Sequence, residues 1–333
     1  MIRIIFNLIV FVLLIIIFFF IYSTITEYSP EKVTPLEADS SKCDVLSSDS
    51  TFRFLIWNIG YAGLNQEMDF FYDGGHMVRP SQSKVVENLT SIQSFLKENA
   101  SVDFCMLQEV DVNSKRSYYI NQRNSLQETL QYKYSYFGMN YNVGYVPMPI
   151  TEPMGHVEAG LLSLTNLKPY ECNRMSYPFN FKWPLRLFLL DRCFMPMRYK
   201  VSNGKDLIII NTHNSAFDDQ GKLRIAELNY LKDYLISEYE HGNYVVVGGD
   251  FNQSPVGVKH YFEGEIFDDK EFISVSDSLL PQGWQYVFDN TSPSNRRTDT
   301  IYVKGKTRVA LLDFFIVSPN VCVDSVKCHN LHF

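Results

Sequence analysis

The stretch YVVVGGDFN at positions 244–252 decides the fold class of this chain. Its apolar residues predict a buried β-strand over 244–248, and two polar side chains, Asp250 and Asn252, follow directly. In α/β sheets, ligands collect where loops at strand ends present polar groups. The stretch therefore indicates a strand of an α/β sheet, with candidate functional side chains at the end of that strand.

Other polar residues end or interrupt apolar strand patterns. They are Asn58 after the strand predicted over 52–57, Glu109 after 102–107, His213 after 207–212, and Asp313 inside 309–317. A lone carboxylate such as Asp313 is costly to bury unless it is paired, hydrogen-bonded or metal-bound. Helical patterns over 81–99 and 221–239 alternate with these strands, and no second linker divides the chain after residue 51. This alternation predicts one α/β domain.

Taken singly, each polar residue has an ordinary structural interpretation. Asn58 would cap a turn, Glu109 would be a surface acid, and His213 would be a structural histidine. The Asp250-Phe251-Asn252 segment would be a plain turn. The order of these residues along the chain is more informative than any one of them.

That order resembles the endonuclease/exonuclease/phosphatase superfamily over residues 51–333. The matching blocks are Trp57-Asn58, Gln108-Glu109, Gly160-Leu161-Leu162-Ser163, Asn211-Thr212-His213, Gly249-Asp250-Phe251-Asn252 and the Asp313 strand. The resemblance implies an α/β fold, a four-layer α/β/β/α sandwich with two mixed sheets. It also implies a hydrolase that acts on phosphoester bonds with Mg²⁺ or Mn²⁺ as cofactor.

The resemblance also assigns site residues. Asn58 and Glu109 would form the metal site, because oxygen ligands suit Mg²⁺. The catalytic residues would be His213, Asp250, Asn252 and Asp313. Asp250 would orient or deprotonate the attacking water, and His213 would donate to the phosphate or the leaving group.

The chain departs from the family at its end. The family closes with Ser-Asp-His and one more strand, whereas this sequence ends Cys328-His329-Asn330-Leu331-His332-Phe333. We expect a domain that is incomplete at its C-terminus; a degraded relative is the alternative. His329 and His332 are expected to be ordinary surface histidines, since neither follows an Asp.

Three arginines are candidates for substrate phosphate contacts: Arg79 in a glycine-containing loop, and the pair Arg296 and Arg297 before the Asp313 strand. A solvated turn is the alternative for each. The aromatic stretch 177–194 is expected to be core or a loop covering a sheet, and would suit contact with lipid if it were exposed.

The N-terminus has a different composition. Residues 4–22 contain one polar residue, Asn7, and span about 28 Å, close to the thickness of a hydrocarbon core. We expect residues 1–26 to be a membrane anchor with its N-terminus in the cytoplasm and the domain outside it; a cleaved signal peptide is the alternative. Residues 27–50 are expected to be a linker.

Composition narrows the function classes. Hydrophobic residues make up 46% of the 333, which excludes a disordered chain, and six Cys exclude a disulfide scaffold. Cys172 with Cys193 and Cys322 with Cys328 are candidate pairs, with buried free thiols as the alternative. The net charge of −7 excludes a globally basic surface for gripping nucleic acid.

Three functions remain open. The first is a membrane-anchored, metal-dependent phosphoester hydrolase with a nuclease-type substrate. The second is a sphingomyelinase-like phosphodiesterase that acts on phospholipid. The third is a catalytically inactive binding module. The partners predicted are a phosphate-ester substrate and a membrane, and the sequence indicates no protein partner.

Overall fold

The computed structural model describes residues 1–36, 43–216, 218–268 and 274–331. Within these ranges the helices are α1 (Ile2–Ile25), α2 (Gln82–Glu98), α3 (Gln122–Leu130) and α4 (Lys222–Glu240). The strands are β1 (Val33–Pro35), β2 (Val45–Leu46), β3 (Phe54–Asn58), β4 (Phe104–Asp111), β5 (Tyr134–Val146), β6 (Gly155–Thr165), β7 (Glu171–Ser176), β8 (Cys193–Val201), β9 (Asp206–His213), β10 (Tyr244–Asp250), β11 (Ile266–Phe267), β12 (Gln285–Val287), β13 (Asn295–Arg296), β14 (Arg308–Ala310) and β15 (Asp313–Val317).

Two mixed sheets form the centre of the body. The main sheet has the order β1-β7-β8-β9-β10-β15-β12, with β2 paired to β8, and the second sheet has the order β3-β4-β6-β5. In the main sheet β10 pairs parallel with β9 and antiparallel with β15. A small third sheet, β11-β14-β13, lies beside them.

Alternating apolar residues build the layers. In β9, Ile209 packs into the core between the two sheets, whereas Ile208 and Ile210 pack against α4. In β6, Leu161 faces the core between the sheets and Leu162 belongs to the core under α2 and α3. Because successive strand side chains point to opposite faces, each sheet buries both faces. The four-layer α/β/β/α sandwich predicted from the sequence is confirmed.

Helix α2 follows its sequence pattern closely. The Ser81 hydroxyl accepts a hydrogen bond from the Lys84 amide and caps the first turn. The predicted apolar stripe, Val85, Leu89, Ile92 and Leu96, is buried against the second sheet.

One polar contact joins the two sheets through the apolar core. The fully buried Gln108 of β4 donates from Nε2 to Oδ1 of Asn211 in β9 at 2.7 Å. Asn211 in turn donates to the backbone carbonyls of Leu107 and Leu162 in the second sheet. An unpaired buried amide costs about 1–3 kcal/mol, so these bonds favour a single arrangement of the sheets.

The N-terminal segment differs in part from its prediction. None of the residues of α1 is buried, and the helix is long and apolar enough to cross a membrane. The described part of the expected linker 27–50 adds two short strands to the main sheet, β1 against β7 and β2 against β8. Leu46 of β2 is buried in the core between the sheets, whereas Val33 of β1 is exposed. Residues 37–42 of the expected linker lie outside the described residues.

The cysteines and the C-terminal segment carry two further expectations. All six cysteines are described and free, and Cys105, Cys172 and Cys193 are buried. Neither candidate pair is bonded: Cys172 and Cys193 are buried free thiols, Cys322 is exposed and Cys328 is half-buried. His329 is exposed and its ring lies 5.2 Å from that of Phe95 on α2; His332 lies outside the described residues.

A buried carboxylate attaches α4 to the segment after β9. The Glu227 side chain accepts hydrogen bonds from the Ser215 amide at 2.7 Å and the Ser215 hydroxyl at 2.6 Å. Burial raises the pKa of Glu227 to about 7, although the bonds from Ser215 oppose the shift. The folded protein therefore binds this proton more tightly than the unfolded chain does.

Glu227→Gln is expected to change the pH dependence of stability. Between about pH 4.5 and 7 the wild-type protein loses free energy of unfolding as the buried carboxylate ionises, by at most about 3 kcal/mol, and a neutral Gln does not ionise. The free energy of unfolding of each protein is measured by urea unfolding. The value for the variant minus the value for the wild type should increase as the pH rises and become constant above about pH 7. Glu240→Gln, an exposed site on the same helix, is the control. Parallel profiles for Glu227→Gln and wild type would contradict the assignment.

Candidate active site

Three adjacent strands of the main sheet place polar side chains in one row. Asp250 at the end of β10 is the register partner of His213 in β9 and of Asp313 in β15. Register partners in a sheet point to the same face, so the three side chains lie next to one another. The His213 Nε2 atom is 3.7 Å from Oδ2 of Asp250. At Gly249 only glycine fits, because a Cβ atom there would lie 2.0 Å from the Thr212 carbonyl oxygen.

The second sheet contributes two residues to the same place. Asn58 at the end of β3 donates from Nδ2 to Oε1 of Glu109 at 3.0 Å and to Oδ2 of Asp250 at 2.9 Å. Asn58 therefore links the carboxylates of the two sheets. Its own Oδ1 accepts from the Gly60 amide, which fixes the orientation of the side chain.

Backbone strain marks two of these positions. Glu109 has φ 54° and lies where the β4–β6 register shifts between Leu107 and Val110. Asn252 has φ 51°. Left-handed conformations in non-glycine residues cost about 1–3 kcal/mol and cluster at functional sites, as do bulges. The strain supports a functional rather than a purely structural role for both residues.

Asn252 is held by the elements around it. Its amide donates to Oδ1 of Asp250 at 2.8 Å, and its Nδ2 donates to the Asn214 carbonyl oxygen at 2.9 Å. The intervening Phe251 is buried and its ring stacks on that of Phe314 at 4.1 Å. The turn is therefore anchored by an aromatic core contact while its polar residues face the cleft.

The site concentrates negative charge. Burial raises the pKa of Asp250 to about 6, opposed by the hydrogen bonds from Asn58 and from the Asn252 amide. Burial and the neighbouring Asp250 carboxylate raise the pKa of Asp313 well above its usual range. Burial and the guanidinium groups of Arg192 and Arg116 lower the pKa of His213 well below its usual range, so His213 is neutral at pH 7.

All six residues assigned from the sequence line one cleft: Asn58, Glu109, His213, Asp250, Asn252 and Asp313. The cleft also has residues that the sequence reasoning missed, chiefly Arg192 and Asn140, which are buried. Among the described residues, Arg192 Nη1 and Asn140 Nδ2 are buried without a hydrogen-bond partner. The sequence feature that could have identified Arg192 is its position, since it is a charged residue directly before an apolar strand pattern.

Arg116 is a further cation of the cleft, and its partners are internal. It forms a buried ion pair with Asp111 at 2.8 Å, and its guanidinium lies 3.9 Å from the centre of the Tyr61 ring. Arg116 therefore supports the wall of the cleft and contributes positive potential to it.

The three arginines proposed as phosphate contacts are placed differently. Arg79 does not line the cleft: its guanidinium pairs with Glu152 at 3.2 Å and lies 5.3 Å from the centre of the Tyr118 ring. Arg296 and Arg297 do line it. The Arg296 guanidinium is occupied by backbone carbonyls, including those of Asn65 and Met68. Arg297 lies 3.4 Å from the Asp299 carboxylate.

A metal ion would meet oxygen donors here. Within the described ranges, no group of three or more His, Cys, Asp or Glu side chains is arranged to hold one. The Glu109 and Asp250 carboxylates nevertheless supply hard oxygen donors of the kind that Mg²⁺ takes together with several waters, whereas Asn58 turns Nδ2 to both carboxylates and Oδ1 to the Gly60 amide. Asp313 Oδ1 is buried with no partner in the described structure, close to a second carboxylate. The excess negative charge and the donor chemistry fit a divalent cation.

Comparison with known proteins supports the fold. No model of a known protein family matches the chain, and neither does any curated protein. The chain is similar to the selenomethionine crystal structure of TDP2 from Caenorhabditis elegans, at 15% identity and a TM-score of 0.50 over 80% of this chain and 63% of that one. An endonuclease/exonuclease/phosphatase from Beutenbergia cavernae DSM 12333 matches at 15% identity and a TM-score of 0.47, over 80% of this chain and 64% of that one. The chain therefore has a fold similar to that of the TDP2 structure.

Proposed function

We propose that the chain is a metal-dependent phosphoester hydrolase, held to a membrane by α1 with its cleft outside the cytoplasm. One observation carries the hydrolase proposal. The strand ends of two sheets bring Glu109, Asp250 and Asp313 together with a neutral His213, and the same cleft is lined by Arg192, whose Nη1 atom is buried without a hydrogen-bond partner. Candidates for a base and for phosphate-binding groups thus share one cleft.

Glu109 is the residue that would hold Mg²⁺ or Mn²⁺, and Asn58 would join it by turning its Oδ1 atom from the Gly60 amide toward the ion. When bound, the cation would offset the charge of the substrate phosphate and stabilise the leaving oxygen. Asn58 already contacts the Glu109 and Asp250 carboxylates, so it also sets their separation.

Asp250 is the proposed base. The Asn252 amide and the Asn58 side chain orient its carboxylate, and burial raises its pKa to about 6, near the range of a working base. The oxygen of the attacking water bonds to phosphorus, its proton passes to Asp250, and the leaving oxygen departs with the electrons of the broken P–O bond.

The remaining residues stabilise charge and position. Neutral His213 donates a hydrogen bond to a phosphate oxygen. Arg192 offers its unpartnered Nη1 atom to another, as a charge-assisted bond. Asp313 lies beside Asp250 in the sheet and supports its position and charge.

The substrate class is open between two phosphate esters. A nuclease-type substrate is the first to test, as the resemblance implies. A phospholipid is the second, because the apolar side chains of Phe181, Leu185 and Leu189 line the same cleft.

Glu109→Gln is expected to lower the turnover of a chromogenic phosphodiester by at least about 10²-fold and to remove the response to Mg²⁺, because the substitution deletes the charge that faces the cation while keeping the volume. The measurement is the initial rate of the full chain in detergent, after chelation and after Mg²⁺ is added back. Glu152→Gln, a surface site, is the control and should keep the wild-type response. Full Mg²⁺-dependent activity in Glu109→Gln would contradict the proposed metal site.

Arg192→Gln is expected to lower kcat/KM by about 10- to 100-fold, since a hydrogen bond to a charged group contributes about 1.5–3 kcal/mol. Arg192→Lys should recover part of the loss through its charge. Arg79→Lys is the matched comparison, because Arg79 pairs with Glu152 away from the cleft. A loss in the Arg79 variant together with normal rates in both Arg192 variants would reverse the assignment of the phosphate contact.

A further inference from the structure

The end of α1 rests on an aromatic surface of the body. The ring of Phe19 stacks on that of Phe188 at 5.8 Å and lies 6.3 Å from that of Tyr145. The ring of Phe20 lies 5.7 Å from that of Trp183. Phe19 and Phe20, one turn before the end of the helix, therefore have specific partners in β5 and in the segment between β7 and β8.

Polar contacts complete this junction. The Trp183 indole donates to the Thr24 hydroxyl at 3.2 Å, and Arg186 pairs with Glu27 at 2.9 Å. A few residues further on, β1 joins the edge of the main sheet. These contacts with the body of the protein thus fix the direction in which the chain continues after α1.

Apolar side chains around the junction stay exposed although the helix packs there. Ile150 is 82% exposed, Leu185 60% and Trp183 54%. With Tyr145, Met148 and Phe188 these residues form what we name the collar. Large apolar side chains grouped on one surface mark a contact site.

The length of the helix places the collar relative to a bilayer. Its 24 residues rise about 36 Å, more than the ~30 Å hydrocarbon core. Counted from Ile2, Phe19 and Phe20 lie about 26–27 Å along the helix, just inside the outer boundary of that core, so the collar that contacts them lies at this boundary. Trp and Tyr side chains favour this interfacial level, and the Arg186–Glu27 ion pair would lie among the headgroups.

We infer that the collar is a bilayer-contacting surface that seats the body on the membrane, with its apolar side chains in the interfacial region of the lipid. The inference rests on the proposed membrane span of α1. Met148, Leu185 and Phe188 of the collar lie along the same extended cavity, about 2050 Å³ in volume, that reaches Asn58 and Glu109.

Tryptophan fluorescence tests this directly, because the chain has three Trp and one of them, Trp183, is in the collar. The full chain is reconstituted in phosphatidylcholine vesicles, with and without lipid brominated near the headgroup end of its acyl chains. Bromine quenches only side chains that reach the lipid, so we expect the brominated vesicles to remove roughly half or more of the Trp183 contribution. Trp183→Phe should abolish this quenching, whereas Trp284→Phe, a buried site beside α4, should retain it.

The possible outcomes distinguish a failure of the collar inference from a failure of the hydrolase proposal. No lipid quenching of Trp183, with access to an aqueous quencher, would mean that the body stands clear of the bilayer. Protection from both quenchers would mean that a protein surface covers the collar; either result overturns the inference. Hydrolysis of a soluble chromogenic phosphodiester should be the same in Trp183→Phe as in wild type, so a failure of the hydrolase proposal is read from that assay alone.

Discussion

The hydrogen bond between Gln108 and Asn211 joins the two sheets inside a largely apolar core. Both amides are fully buried, so neither has water as an alternative partner. A shift of one sheet past the other would leave several buried polar groups unpaired at about 1–3 kcal/mol each. Glu109 follows Gln108 directly, and His213 lies two residues after Asn211. The bond that fixes the sheets therefore also fixes the distance between the groups of the cleft.

Several residues of the cleft lower the stability of the folded protein. Glu109 and Asn252 hold left-handed backbone conformations, and Asp250 and Asp313 are neighbouring carboxylates whose raised pKa values express the cost of burying their charge. The buried apolar strands and the Phe251–Phe314 stack outweigh these costs. A cation between the carboxylates would relieve the electrostatic part, which gives a physical reason for a metal-dependent site on this fold.

Strand periodicity and polar strand ends are local signals, and they predicted an α/β domain with polar groups at its strand ends. The sandwich and the assignment of the six residues of the cleft came from the resemblance to a known superfamily. The sequence did not reveal Arg192 or Asn140, since their role depends on the side-chain space left between distant elements. Arg79 and Arg296 were equal candidates in the sequence, but Arg79 pairs with Glu152 away from the cleft, whereas Arg296 lines the cleft and donates to backbone carbonyls. The segment 27–50 gave a linker prediction because strands as short as Val33–Pro35 have no periodicity to detect. The contact between α1 and Trp183 likewise depends on residues more than 150 positions apart.

The central claim is that strand-end carboxylates from two sheets form a cation-dependent phosphoester site. The most direct measurement is anomalous diffraction from crystals of the full chain soaked in Mn²⁺, which locates the ion without reference to turnover. The account predicts an anomalous peak bonded to the Glu109 carboxylate beside Asn58 and Asp250. Crystals with no peak at Glu109, or with Mn²⁺ bound only at surface acids, would contradict it.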